Sequence, residues 1–483
     1  MARLVARALR LGRGALIQVG AACGYQGHYR LSYLAPALLW PKPTIIVAPT
    51  EVQQRLKAVE IPRLQEWFQT NKAIRTGEQW PSHNFQGLLL TSPEAWLAAQ
   101  LAKREEFPPG IPTIIDGVDD LEDWARTQLT ASIQPSDWEE LMLARPSIRE
   151  TIREARVKLT RSVFQHPVNP YECYLIESKE QNILRSLYAT LQASEGNSLS
   201  DLPPAWRNFE QRLQAETQIF WATVARRPGL FSLSSAPAEV ASALSPIWSK
   251  QPVVLIGSTL DREAEAPIYR HNVGLSDLTC LKFSADRQSD LIQLYLPEQL
   301  PLPNTPEFQA ACFQKVHSLL CLSATAPGLT VLLVGDVPLK AQIGATLAAE
   351  FGSRVQVEKT CLEENGILVS GWEFWRQHQA VLPAPLLLVI ATLPLPSLEN
   401  PLVSGRVSYY KQSRQDWFRI YLLPEALSEL ARAVAPMREH QGVVALLDSR
   451  VLHRSYGSQI LAALSPLARL SYLDSSLFAQ PND

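Results

Sequence analysis

Residues 15–38 read ALIQVGAACGYQGHYRLSYLAPAL. An apolar run of strand length leads into glycines and then into a helix-like segment, which is the layout of a phosphate-binding loop. Such a loop needs glycines so that backbone N–H groups converge on phosphate, a lysine for the β- and γ-phosphates, and a Ser or Thr hydroxyl for Mg²⁺. Gly24 and Gly27 are present, but His28, Tyr29 and Arg30 follow, without a lysine or a metal-binding hydroxyl. An imidazole is a poor substitute for a fixed ammonium. Arg30 could hold a phosphate, yet its bulk does not suit a metal-ligand position. The other reading of GYQGHYR is a βα turn whose glycines serve backbone geometry alone. A second chemically suggestive stretch, DGVDD at 116–120, places Asp116 and Asp119 at the end of another apolar run.

A regular alternation of elements positions these residues. Through the first 130 residues, strand-length apolar runs alternate with helix-length amphipathic segments at 30–40, 51–69 and 93–104. The runs are ALIQVGA, TIIVAP (44–49), GLLLTS (87–92) and TIIDGV (113–118). Continuous apolar strands separated by helices predict a parallel sheet covered on both faces, with sites at the carboxyl ends of the strands. AACGYQG, APT and DGVDD all fall there. Segment 137–161 is charged and helical, and 177–218 continues in that style around the loop ASEGNSLSDLPP, so a helical insertion without strands is expected. A strand returns at PVVLIGSTL (252–260). A second series follows: LTVLLVG (329–335), a helix at 338–351, RVQVE (354–358), GILVSG (366–371), LLLVIATL (386–393), a helix at 424–438 and GVVALLD (442–448).

The 483 residues imply two or three domains, and 46% hydrophobic with 19% charged residues fits a globular protein. A net charge of −2 gives no global attraction to nucleic acid or to an anionic membrane. The six cysteines, Cys23, Cys173, Cys280, Cys312, Cys321 and Cys361, form no CxxC pair, so neither a disulfide framework nor a zinc site is indicated and a cytoplasmic location is expected. The longest apolar run, near residue 384, is too short and too proline-rich to span a bilayer. Arg3, Arg7 and Arg10 share one helical face, as in a first helix with a solvated basic side, a transit peptide or a nucleic-acid-facing helix.

The specific resemblance is carried by the second half. GILVSGWEFWRQHQAVLPAPLLLVIATLPLPSLENPL (366–402) resembles the stretch of DinG/XPD-type superfamily-two DNA helicases in which a Phe-Trp-Glu-Gly element precedes a strand and a Leu-Pro-Phe-Pro turn; Trp375, Leu393, Pro394, Pro396 and Pro401 stand at matching places. Residues 418–461 are similar to the family's last motif, with Asp448, Arg450, Tyr456 and Gly457 matching. In the first half, TIIDGVDDLEDWAR (113–126) resembles the Asp-Glu-Ala-His box and VVLIGSTL (253–260) the Thr-Ser-Ala-Thr-Leu motif.

The resemblance implies two RecA-like lobes of the P-loop NTPase helicase fold, with a helical insertion in the first lobe. The expected boundaries are 1–134 and 216–275 for that lobe, 135–215 for an arch-like insertion and 276–483 for the second lobe. It also exposes losses. Anchoring the family's Gly-Lys-Thr on YLAPAL puts His28, Tyr29 and Arg30 there; one inserted residue shifts it to Gly27, His28 and Tyr29. Gly117 replaces the catalytic glutamate, Asp119 the histidine, Phe-Trp-Arg-Gln the Phe-Trp-Glu-Gly element, and Arg438 alone survives of the paired arginines. One such charge contact is worth on the order of 10³-fold in rate. With no cysteine between 24 and 172, no iron–sulfur cluster is expected.

The expected function is therefore a catalytically degenerate helicase homologue, binding nucleic acid or scaffolding a protein partner in DNA metabolism. It needs no cofactor, no metal and no membrane. Gly24, Gly27, His28, Tyr29 and Arg30 would be the remains of the phosphate loop, and Asp116, Asp119 and Arg438 those of the catalytic set. Arg149, Arg153, Arg156 and Trp375 are candidate contacts to single-stranded or duplex DNA. The competing readings are a working ATP-dependent DNA helicase, using ATP and Mg²⁺, and a protein-binding module without nucleic-acid affinity.

Overall fold

The computed structural model describes residues 1–193, 201–215, 217–283, 291–324 and 326–478. Residues 194–200 of the ASEGNSLSDLPP loop, and the expected boundary residue 216, lie outside the described residues. Five strands come first: β1 (Ala15–Gln18), β2 (Thr44–Val47), β3 (Ile74–Thr76), β4 (Leu88–Thr91) and β5 (Thr113–Asp116). Every residue of β1, β2, β4 and β5 is buried, which is why they read as unbroken apolar runs. Four strands follow in the insertion: β6 (Ala131–Ile133), β7 (Cys173–Leu175), β8 (Gln218–Ala225) and β9 (Leu230–Pro237). The chain then returns to the first sheet with β10 (Val253–Gly257) and β11 (Thr279–Lys282).

The first sheet has the order β11-β1-β10-β5-β2-β4-β3, all parallel. Because β10 lies between β1 and β5, three distant segments leave the sheet side by side: the turn after Gln18, the Ser258–Thr259 turn and the DGVDD turn. The N-terminal helix Ala2–Leu11 buries Val5, Ala8 and Leu9 in the same core as Tyr33 and Leu34 of helix Arg30–Leu39. Its apolar face thus belongs to the first lobe while Arg3, Arg7 and Arg10 are exposed.

The second lobe contains β12 (Ile292–Tyr295), β13 (Thr330–Leu333), β14 (Val355–Val357), β15 (Ile367–Ser370), β16 (Leu387–Ile390), β17 (Val443–Leu446) and β18 (Leu467–Leu470). They form a parallel sheet of order β14-β15-β13-β16-β17-β12-β18. Trp375, fully buried, sits in its core.

Three expectations need correction. The insertion is neither purely helical nor confined to 135–215, since β6, β9, β8 and β7, of which only β7 lies inside those bounds, form an antiparallel sheet under helices Pro135–Ala144, Arg149–Phe164, Ser178–Ala193 and Pro204–Leu213. Strands β8 and β9 pair as a hairpin around a turn closed by Gly229 at φ 67°, and that alternating, half-exposed pattern was hidden among helical neighbours. The expected single helix over 137–161 is interrupted at Arg145, where the following Pro146 disfavours helical backbone. In addition, β11 adds to the first sheet beside β1, so the first lobe extends past residue 275. A short edge strand after a long excursion has no local signal that names its partner.

Candidate functional site

The segment after β1 is wound up rather than open. Residues Ala21–Gln26 form a short helix ended by Gly27 in the left-handed conformation at φ 72°. The backbone N–H of Gly24 donates to Gly20 O at 2.9 Å and that of Gly27 to Cys23 O at 3.0 Å. Both N–H groups are thereby used within the chain instead of converging on an anion. Gly24 is required for a close approach, since a Cβ there would lie 2.5 Å from Ser258 Cβ.

Helix Arg30–Leu39 then carries three side chains to one carboxylate. Asp116, 1% exposed at the end of β5, accepts from the Tyr29 hydroxyl at 2.5 Å on Oδ1. Its Oδ2 accepts from the Tyr33 hydroxyl at 2.9 Å and from Arg30 Nε at 3.2 Å. Burial raises the Asp116 pKa, and the Arg30 charge with the three hydrogen bonds offsets this only in part. Burial and the Asp116 charge hold both phenols protonated, well above their ordinary range, so they remain donors. The Arg30 guanidinium lies directly against Gly27, where a Cβ would sit 2.4 Å from Nη1.

These residues do not fit Mg²⁺-ATP. A metal ion approaching Asp116 has to displace a guanidinium, which has no lone pair to offer a cation, and two hydroxyls that donate to the same carboxylate. Tyr29 and Arg30 are thus not inert: with Tyr33, one helical turn on, they supply a counter-ion and two hydroxyl donors to the strand-end carboxylate. The spacing Tyr29–Arg30–Tyr33, two neighbours and one turn of helix, was the available signal.

The second acidic residue is also committed. Asp119 accepts from Ser258 N at 2.8 Å, Ser258 Oγ at 2.7 Å and Thr259 N at 2.9 Å, so it ties DGVDD to the turn after β10. Gly117 adopts φ 81°, which suits glycine and strains any side chain placed there.

The other proposed positions disperse. Arg438 is buried and donates to the carbonyls of Leu464, Ser465 and Pro466 at 2.9–3.3 Å, pinning the turn before β18. It is Arg432 that reaches the first lobe, through Asp120 Oδ1 at 2.9 Å. The indole of Trp375 donates to Ala433 O at 3.1 Å inside the core, so its ring is not a surface for stacking a base. On helix Arg149–Phe164, Arg156 pairs with Glu139 at 2.7 Å and Arg153 approaches Glu150 at 4.0 Å, while the helix keeps an exposed basic face.

Comparison with known proteins agrees with this architecture. The profile of the helicase C-terminal domain family matches residues 385–467. The ATP-dependent DNA helicase YoaA of Escherichia coli is 22% identical over 252 residues, 50% of this chain and 40% of that protein. YoaA of Haemophilus influenzae is 26% identical over 133 residues, 27% of this chain and 21% of that protein. The matched stretch therefore spans well under half of these curated relatives. Among solved structures, an XPD helicase aligns over 97% of this chain and 98% of its own with TM-score 0.63 at 11% identity. Xpd4 of S. tokodaii aligns over 97% and 98% with TM-score 0.62 at 13% identity. The two parallel-sheet lobes are a RecA-like helicase fold. Within it, the helicase C-terminal domain match, the YoaA relatives and the XPD neighbours support a resemblance to the DinG/XPD-type superfamily-two helicases.

Proposed function

We propose that this helicase homologue does not hydrolyse ATP and serves as a nucleic-acid-binding or scaffolding protein in DNA metabolism. The observation that carries this reading is the Asp116 site, where both carboxylate oxygens accept hydrogen bonds from Tyr29, Arg30 and Tyr33. Phosphoryl transfer depends on positioned metal and charge, and here the metal's place at the carboxylate is taken by a covalently attached cation. The glycine at 117 supports the same reading, because it cannot orient a water. DNA is the expected nucleic acid because the curated relatives are DNA helicases by name, and helix Arg149–Phe164 offers an exposed basic face for phosphate.

The test is equilibrium binding of labelled ATP with and without Mg²⁺, alongside single-stranded-DNA-stimulated hydrolysis. No saturable binding up to millimolar nucleotide is expected. DNA-stimulated hydrolysis abolished by Asp116→Ala would overturn the reading. Binding to single-stranded DNA should weaken steeply as salt rises; salt-independent absence of binding would leave only a protein partner.

A further inference from the structure

The two lobes meet through direct side-chain contacts. Glu122, on helix Leu121–Leu129 of the first lobe, accepts from Arg126 Nη2 at 2.6 Å and from Arg406 Nη2 of the second-lobe helix Pro401–Gln412. Arg406 is 10% exposed in its side chain and lies 3.8 Å from the Tyr421 ring centroid. Arg126 also donates to the carbonyls of Pro237 and Ala238, where the insertion ends. One charge cluster therefore touches the first lobe, the second lobe and the insertion.

A second bridge joins Asp120 to Arg432 at 2.9 Å. Around it, Ser428 Oγ donates to Thr259 O at 3.1 Å and Asn272 Nδ2 to Ile420 O at 3.3 Å. Helix Ala21–Gln26, the wound-up former phosphate loop, packs on helix Leu423–Ala433 and on the 435–440 turn. The Tyr25 hydroxyl reaches Gln379 O at 3.4 Å. At the third corner, helix Pro401–Gln412 packs on β7 and β8 at Gly405, where a Cβ would meet Ile219 Cγ2 at 2.9 Å and Leu175 Cδ2 at 3.3 Å.

We propose that these contacts form a built-in interlock that holds the lobes in one closed arrangement, with the Glu122–Arg406 and Asp120–Arg432 pairs acting as the bridge that bound nucleotide provides in a motor of this fold. Partly buried ion pairs suit such a role, because separating them leaves charges without partners in a low-dielectric seam. Arg406 and Arg432 are positioning residues here, and lobe closure becomes a constant of the fold instead of a step in a cycle. The interlock deepens the reading of a nucleotide-independent protein.

The test is pulsed electron–electron distance measurement on the full chain, with spin labels at the exposed positions Val59 and Val357, one in each lobe, after replacing the exposed Cys23, Cys321 and Cys361 by Ser. One narrow distance distribution is expected, unchanged by millimolar Mg²⁺-ATP. In Arg406→Gln/Arg432→Gln the distribution should broaden at least about twofold while far-ultraviolet circular dichroism is retained. The exchange Asp120→Arg/Arg432→Asp, which preserves a pair, should stay narrow and guards against a folding defect in the first variant. A broad or two-peaked distribution in the unsubstituted protein, or an unaltered one in a folded double-Gln variant, overturns the interlock. If ATP shifts the distance and is hydrolysed, the reading of a lost ATPase falls with it; if the lobes move without binding ATP, only the interlock falls.

Discussion

Asp116 and Asp448 lie in different lobes, one at and one just beyond the carboxyl end of a buried parallel strand, and each pairs with an arginine. In the second lobe the arrangement is local. Asp448 accepts from the N–H of Leu393 at 2.8 Å, the N–H of Arg450 at 3.0 Å and the Arg450 guanidinium at 2.6–3.1 Å. The arginine is two residues away, and the Asp-x-Arg turn still matches the family's last motif. In the first lobe the cation comes from Arg30, 86 residues earlier in sequence. The difference shows what each aspartate serves. Asp448 ties the turn after β17 to the turn after β16, whereas Asp116 gathers its donors from the helix that follows β1.

That comparison is most directly broken at Arg30. Replacing it by Met leaves Asp116 buried with hydroxyl partners alone, and a loss of ~3–5 kcal/mol is expected in the urea unfolding of the first lobe. Adding Asp116→Asn should recover most of it; a loss below about 1 kcal/mol would show that Arg30 is not the carboxylate's counter-ion.

Asp448→Asn is expected to cost less, about 1.5–3 kcal/mol, because backbone N–H donors stay in reach of the amide oxygen while the charge-assisted bonds to Arg450 weaken. Equal losses at the two aspartates would erase the contrast between the lobes. At Gly117, alanine is expected to destabilise by roughly 1–2 kcal/mol through its φ of 81° alone, since the nearest atom to a Cβ is 3.6 Å away on Trp124.

The smallest effect concerns pH. Burial opposes the charge on Glu122, but Arg406 and Arg126 outweigh it and hold its carboxyl below the usual range. A depressed carboxylate contributes stability that is fully present above its unfolded value of 4.5 and is lost as pH falls through the lower folded value. The unfolding free energy measured from pH 6 downward should therefore fall less in Glu122→Gln than in the unsubstituted protein. Parallel profiles would remove Glu122 from the lobe seam.

Much of this fold was legible along the chain. TIIV, TIID, VVLIG and TVLL announce buried parallel strands, because a strand covered on both faces has no polar positions to alternate with. Short edge strands such as β11 and β18, and the half-exposed hairpin β8–β9, were not legible, because their identity depends on which partner they meet. The residue types at the strand ends, Gly24, Gly27, Asp116 and Gly117, were legible as well, but not the contacts they make. Arg438 and Trp375 were misplaced because a motif match fixes a position in sequence, while burial fixes what the side chain can touch.

By itself, then, the sequence determined the two α/β lobes and most of their central strands, since periodicity and residue type are local properties. Only the tertiary structure decided that Tyr29, Arg30 and Tyr33 converge on Asp116, and that Arg406 and Arg432 reach Glu122 and Asp120 across the lobes. Those pairings span 83 to 312 residues. They exist because strand order and lobe packing bring distant segments together, which no local pattern records.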